Sequence, residues 1–284
     1  MNPIDIFSKN AAYQKFEVLK ANRKKRHKYG EFIIEGVRNI NEAIQNHWRI
    51  NAFIYSRERA LSRWGLGILH STGTKENYAL SDRLMKELSG KNDASELIAI
   101  ASMEPPTIKE LSENPIIALF DRPSNKGNLG TLIRSCDALG VERLVLTGHG
   151  VDVYDPEVIG SSMGSFFKVP FIKLSDNKDI DQYISALKRQ WPNMKVIATT
   201  EQGQTAIYDL DMTVPVLLLI GNEKDGLNRR LEASSDVLAK IPMNAGTSAS
   251  SFNVSCAATV VFYEVTRQRS LKCESSEIQL LSSV

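Results

Sequence analysis

The sequence predicts an α/β protein in two parts, the second built on a mostly parallel sheet. Three observations lead there. From about residue 115 to 268, short apolar, β-branched-rich runs alternate with helical segments, as strands covered on both faces require. A smaller set of strand and helix segments precedes residue 104, and Pro105-Pro106 interrupts any regular element between the two sets. The expected organisation is 1–104 as a smaller α/β domain, 105–114 as linker, 115–270 as the main domain and 271–284 as a polar tail.

In the first part, Phe32-Ile33-Ile34 and Phe53-Ile54-Tyr55 read as strands. Between them, Val37, Ile40, Ala43 and Ile44 are spaced for one helix face. Ile68-Leu69 and Leu97 to Ala101 read as further strands, with a helix from about Arg83 to Leu88. Ahead of these stand Lys20, Arg23, Lys24, Lys25, Arg26 and Lys28, a stretch that contains no acid. Their six charges exceed the net +2 of the whole chain, so the rest is formally acidic. A field so concentrated suits a polyanion, and it equally suits a solvated basic helix face.

In the second part the strands are Ile116 to Phe120, Arg143 to Leu146, Val196 to Thr199, Val216 to Ile220 and Leu238 to Ile241. Leu129, Leu132, Ile133, Cys136 and Leu139 mark a helix that Gly140 would end. Asn253 is placed to cap a last helix with Ala257, Ala258, Val261, Phe262 and Val265 on one face. The Ser-rich tail after Ser270 is expected to be loosely ordered.

The composition, 42% hydrophobic and 24% charged over 284 residues, is that of a globular protein. No apolar run approaches the ~20 residues a membrane helix needs, and Met1-Asn2-Pro3 opens no secretory leader, so the expected location is the cytoplasm. Cys136, Cys256 and Cys273 have no metal or redox spacing and read as reduced thiols, two of them packed in helices. No metal site is expected.

Ligands of parallel α/β sheets bind beyond the carboxyl ends of strands, so the loops there carry the chemistry. The first, Asp121 to Gly130, is Gly-rich, opens a helix and leads to Arg134. It has no P-loop ending, and alone it reads equally as an ordinary turn. The second, Gly221-Asn222-Glu223-Lys224-Asp225-Gly226-Leu227, sets a glycine and an acid after the most apolar strand. The third runs from Ile241-Pro242-Met243 to Ser251-Phe252-Asn253-Val254-Ser255, where polar side chains gather before an apolar helix face. A surface turn and helix capping are the plain readings of these two.

Taken in order, Asn128-x-Gly-x-x-x-Arg134, Gly221-x-Glu223-x-x-Gly226-Leu227, and Ile241-Pro242-Met243 with Ser-Phe-Asn-Val-Ser resemble the three motifs of the SpoU/TrmH (SPOUT) RNA methyltransferases. Ser162 to Pro170 extends the resemblance. The basic stretch followed by Phe32-Ile33-Ile34-Glu35-Gly36 is similar to the L30e-like substrate-binding domain often attached to them.

The resemblance implies a trefoil knot in the main domain, a homodimer with its active site at the subunit interface, and S-adenosylmethionine as cofactor. It implies transfer of a methyl group to a ribose 2′-hydroxyl of RNA, ribosomal rather than transfer RNA. Asn128, Arg134, Glu223, Ser251 and Asn253 would be the catalytic residues. Thr199, Gly221, Ile241, Met243 and Phe252 would hold the cofactor, and Arg23, Lys24, Lys25 and Arg26 the RNA. Arg134 would act as base or bind a phosphate, Asn128 would orient it or the hydroxyl, and Glu223, Ser251 and Asn253 would hold loops and substrate. Two departures stand out: Phe252 where the family commonly has Leu, and Gly160 where many members have Arg.

Two other readings remain open. The same fold could methylate a base atom, which mapping the methyl group in product nucleosides would reveal. A silent RNA-binding protein would fail to bind the cofactor. A nucleotide-dependent dehydrogenase is disfavoured, because no Gly-x-Gly-x-x-Gly follows the first strand of either part.

Overall fold

The computed structural model describes residues 2–91, 94–104 and 110–281. The chain forms two compact units, Met1–Ile108 with Asp152–Lys168, and Lys109–Val151 with Val169–Val284. The segment 152–168, expected in the main domain, therefore belongs to the first unit. Residues 105–109 of the expected linker lie outside the described residues.

The first unit runs β1 (Ile4–Ile6), α1 (Ala11–Ala21), α2 (Arg23–Tyr29), β2 (Glu31–Glu35), α3 (Val37–Gln45), β3 (Ile50–Ser56), α4 (Arg63–Ser71), β4 (Glu76–Leu80), α5 (Asp82–Ser89) and β5 (Leu97–Ser102). Its sheet has the order β1-β4-β3-β5-β2. Strand β5 runs opposite to the other four. One core gathers Tyr13, Phe16 and Leu19 of α1 with Leu84, Met85 and Leu88 of α5 against the sheet. Phe32 and Trp48 form a second cluster with Tyr154, Phe166 and Phe167 from the returning segment. The indole of Trp48 donates to the Phe167 carbonyl at 3.0 Å.

Ile68-Leu69, expected to be a strand, lies instead in α4, whose amino end is capped by the Ser62 hydroxyl accepting from the Gly65 N–H at 3.2 Å. The strand of that region is β4, later in the chain.

The second unit holds β6 (Ile116–Asp121), α6 (Lys126–Ala138) and β7 (Arg143–Thr147). After β7 the chain contributes α7 (Pro156–Ser162) to the first unit. It then continues through β8 (Phe171–Leu174), α8 (Asn177–Gln190), β9 (Lys195–Thr199), β10 (Thr205–Ala206), β11 (Val216–Ile220), α9 (Arg229–Ala233), β12 (Val237–Lys240) and α10 (Val254–Leu281). Seven parallel strands lie in the order β10-β12-β9-β11-β6-β7-β8. Ile117, Leu119, Leu217 and Leu219 point to one face, where Ile180, Ile184 and Leu187 of α8 cover them. Helices α6 and α10 are tied through Ser135 and Thr259, whose hydroxyl oxygens are 2.6 Å apart, and through the Thr266 hydroxyl to the Leu139 carbonyl.

Where it is described, the polar tail is helical: α10 runs to Leu281, well past Ser270. Of the cysteines, Cys136 is buried in α6, while Cys256 and Cys273, both on α10, are exposed. The expectation of two packed thiols is thus corrected to one.

Candidate active site

Strands β12, β9 and β11 are consecutive neighbours, so their carboxyl ends meet. Ala239 pairs with Thr199 and Leu219 with Ala198, which sets Gly221 and Ile241 two positions past these pairings on either side of Thr199. The chain must turn tightly here. The loop after β11 folds back on itself, with Asn222 and Gly226 exchanging backbone hydrogen bonds at 2.8 and 3.1 Å. A Cβ on Gly221 would stand 2.5 Å from the Leu227 nitrogen, so no larger residue fits without moving backbone. Gly203 is equally confined, its absent Cβ falling 2.5 Å from the Ala239 carbonyl carbon.

Of the five residues expected to hold the cofactor, none is charged. Thr199 spends its hydroxyl on the Leu219 carbonyl at 3.1 Å, which leaves mainly backbone to offer a ligand. Ile241 and Met243 are half-buried, and Phe252 is exposed. A neutral edge of backbone and apolar side chains suits the adenine of a nucleoside cofactor.

The catalytic candidates divide into a joined set and two outliers. Glu223 accepts from the Ser124 N–H at 3.0 Å, the Ser124 hydroxyl at 2.6 Å, the Asn125 N–H at 3.1 Å and the Asn128 amide at 3.3 Å. Burial pushes its carboxyl pKa up, but the hydrogen bonds, led by the Ser124 side chain and backbone, outweigh burial and hold it below its ordinary value. Asn128 in turn accepts from the Asn253 amide at 3.0 Å. Asn253 caps α10, its oxygen accepting from the Ser255 N–H at 3.0 Å and the Ser255 hydroxyl at 2.6 Å. One chain of hydrogen bonds, Glu223–Asn128–Asn253, therefore joins all three motif loops.

Arg134 and Ser251 stand apart. Six positions along α6 turn Arg134 about 120° around the helix from Asn128 and carry it ~9 Å along the axis, so the two do not share a face. Arg134 is exposed, and no partner of its guanidinium is found among the described residues. Ser251 is exposed in the loop before α10. Gly160, on α7, has open space where a Cβ would be, so packing does not forbid a side chain there.

A pair that sequence reasoning missed fastens the first two loops together. Asp121 is buried and accepts from the Thr147 hydroxyl at 2.7 Å, the Arg122 Nε at 3.0 Å and the Asn228 N–H at 3.1 Å. Arg122 sits at φ +48°, a left-handed conformation a non-glycine residue rarely holds unless its surroundings enforce it. Its carbonyl accepts from the Asn222 amide at 2.5 Å and its guanidinium reaches the Gly226 carbonyl at 3.4 Å. The signal was an acid and a base at the end of a buried strand.

Of the expected RNA contacts, Lys24 and Lys25 are exposed on α2 and Arg23 is half-buried. Arg26 is a correction. Its side chain is 1% exposed and donates to Asp152 at 2.8 Å and Asp155 at 3.2 Å, and to the Leu19 and Lys20 carbonyls at 3.1 and 2.9 Å. With every donor direction committed inside the first unit, it cannot meet RNA. Lys20 is also occupied, donating to the Leu88 carbonyl at 2.6 Å and to that of Ser89.

Among the described residues no helix is long and apolar enough to cross a membrane, and no cluster of three or more His, Cys, Asp or Glu could hold a metal ion.

The family description "SpoU rRNA Methylase family" matches residues 115–263, and "SpoU L30e-like domain" matches residues 10–99. A 23S rRNA (uridine(2479)-2′-O)-methyltransferase of Streptomyces viridochromogenes is 39% identical over 93% of this chain and 92% of its own. A 23S rRNA (guanosine(2553)-2′-O)-methyltransferase of Bacillus subtilis is 25% identical over 86% of this chain and 91% of its own. Among solved structures, the SpoU methyltransferase AviRb of Streptomyces viridochromogenes in complex with AdoMet superimposes with a TM-score of 0.85. It is 38% identical and covers 92% of this chain and 98% of that one.

Proposed function

The chain belongs to the SpoU rRNA methylase family, and from that membership we propose that it transfers a methyl group from S-adenosylmethionine to a ribose 2′-hydroxyl of ribosomal RNA. The observation that carries the reading is the Glu223–Asn128–Asn253 chain, which unites the three motif loops beside the neutral edge of β12, β9 and β11. In the proposed division of labour, residues 1–104 present the RNA and 115–270 carry out transfer.

The residues at that edge fit the cofactor: backbone and the side chains of Ile241, Met243 and Phe252 would hold it around Gly221 and Thr199. When bound, S-adenosylmethionine supplies an electrophilic methyl group. The protein must then position a ribose oxygen and provide for its proton. Glu223 does not take that proton, because its oxygens already accept four hydrogen bonds that favour the carboxylate. It holds Asn128 instead, and Asn128, fixed on both sides, orients the hydroxyl. Arg134 has its guanidinium free to meet an RNA phosphate. A guanidinium binds phosphate readily and releases a proton only with difficulty, so phosphate binding with positioning of the ribose is its favoured role. Ser251, exposed in the third loop, would serve as a substrate contact.

A knot in the second unit is part of the proposal. What supports it is that β12 lies between β10 and β9, both earlier in the chain, with Gly203 pressed against its backbone, the close passage of late and early segments that a knot requires. So is a homodimer. The apolar face of α10 that carries Ala258, Val261, Phe262 and Val265 cannot serve it, since these residues are buried within the chain. A second stripe is exposed: Cys256, Val260 and Tyr263 at i, i+4 and i+7.

Ribose-methylation mapping of total RNA from cells with and without the gene tests the function, followed by transfer assays on the identified RNA. Loss of one 2′-O-methyl mark on removal is expected. Arg134→Ala should abolish transfer with cofactor affinity nearly unchanged, and near-normal turnover would remove Arg134 from the mechanism.

A further inference from the structure

Strands β1, β4 and β3 run parallel and finish together. Leu80, the last residue of β4, pairs with Ile6 of β1 on one side and Ser56 of β3 on the other. The next residue on each flank is therefore Phe7 and Arg57, which emerge side by side at the carboxyl edge of the first unit's sheet. Phe7 is 69% exposed, more than any other large apolar side chain described. The Arg57 guanidinium lies 4.8 Å from the centroid of its ring. Arg57 is itself held: its backbone N–H donates to the Leu80 carbonyl at 2.9 Å and its side chain reaches Asp5 at 3.2 Å.

A single exposed phenylalanine is common on protein surfaces. Here, however, the ring carries a fixed planar cation and stands at the strand ends where α/β sheets present ligands. We propose that Phe7 and Arg57 form a stacking platform for one unpaired base of the RNA. The proposal rests on the RNA methyltransferase reading given above. A nucleobase matches both partners, since its face stacks on phenyl and guanidinium planes alike. The acids nearby are already engaged. Asp5 holds Arg57, Asp82 accepts from the Ser56 hydroxyl at 2.5 Å and the Arg59 Nε at 2.6 Å, and Glu58 accepts from the Asp82 N–H at 3.1 Å. The charges named here, Arg57 and Arg59 against Asp5, Glu58 and Asp82, leave one net negative charge, so the platform grips by stacking rather than by neutralising phosphates.

The test uses the full chain and a 23S rRNA transcript made in vitro, with Phe7→Ala and Phe7→Trp beside the wild type. Phe7→Ala should raise KM for the transcript roughly 5- to 100-fold, the range typical of losing one stacked base. The kcat, the cofactor affinity and the salt dependence of RNA binding should stay unchanged. Phe7→Trp should restore KM to within a few-fold, and the fluorescence it adds should be quenched by the transcript, a signature that a merely structural role would not produce. A wild-type KM in Phe7→Ala, or a change of its light-scattering mass in place of its KM, would overturn the platform while leaving the methyltransferase intact. A wild type that methylates no RNA would overturn both.

Discussion

Six cations lie between Lys20 and Lys28, yet they meet different surroundings. Lys20 closes the carboxyl end of α5. Arg26 is sealed between α1, α2 and two aspartates. Lys24, Lys25 and Lys28 remain exposed. Removing one partner of a buried ion pair leaves the other charge desolvated, at a cost of roughly 3–5 kcal/mol. Arg26→Ala should therefore lower stability by about that amount, as a reduced urea midpoint. Replacing Lys24, Lys25 and Lys28 together with Ala should leave the midpoint in place and weaken RNA binding. Each lost phosphate contact should flatten the log-log salt slope by roughly 0.7–0.9. If the triple variant binds RNA with wild-type affinity and slope, α2 is a solvated surface only. A run of charges records composition, and burial decides which members are free to act; Asp152, the partner of Arg26, is 126 positions away and left no local signal.

At the scale of elements, the loop after β11 is held by an acid whose protonation would release it. Glu223 sits below its ordinary pKa of 4.5, so its stabilising contribution is complete above that value and is lost as pH falls through the depressed one. Cofactor affinity, followed by calorimetry from pH 7 downward, should accordingly show no loss from this group until below the ordinary carboxylate range. Glu223→Gln should bind more weakly at neutral pH and lack that acid-side loss. An affinity in the wild type that already collapses between pH 7 and 5 would show that the carboxylate does not hold the loop. The elements that bear this site were legible because β6, β9, β11 and β12 are apolar runs and the motifs follow directly on three of them. What escaped reading is short or half-exposed. In β1 only Ile6 is buried, β8 has no buried residue, and β10 has two residues in all. Gly65 and Gly67 hid the helix α4 by interrupting its side-chain pattern. Residues 128 and 134 read as one motif, but their angular separation on α6 belongs to geometry that a motif does not express.

For the whole molecule, the division between units does not follow a single cut in the sequence. Residues 152–168 complete the aromatic cluster of Phe32 and Trp48 and supply both carboxylates to Arg26. A fragment ending at the expected linker would lack these partners, which is why binding experiments call for the full chain. Assembly is tested at this same scale. Light scattering at micromolar concentration should give about twice the 31.7 kDa chain mass, and Tyr263→Glu, which sets a charge on the exposed stripe of α10, should halve it and reduce transfer. A wild-type monomer with full activity would exclude the shared site.

The strand order of the second unit also sets a timetable. Ile116 pairs with Val216, so β6 waits for a partner made about 100 residues later. At ordinary elongation rates of ~5–20 residues per second, that wait on the ribosome lasts roughly 5–20 seconds. During it a strand apolar in its first five residues has one of its two edges unpaired, the exposure that invites association with other nascent chains. Synthesis speed, chaperone supply and temperature therefore act on the yield of soluble protein through this interval, separately from the stability of the finished fold.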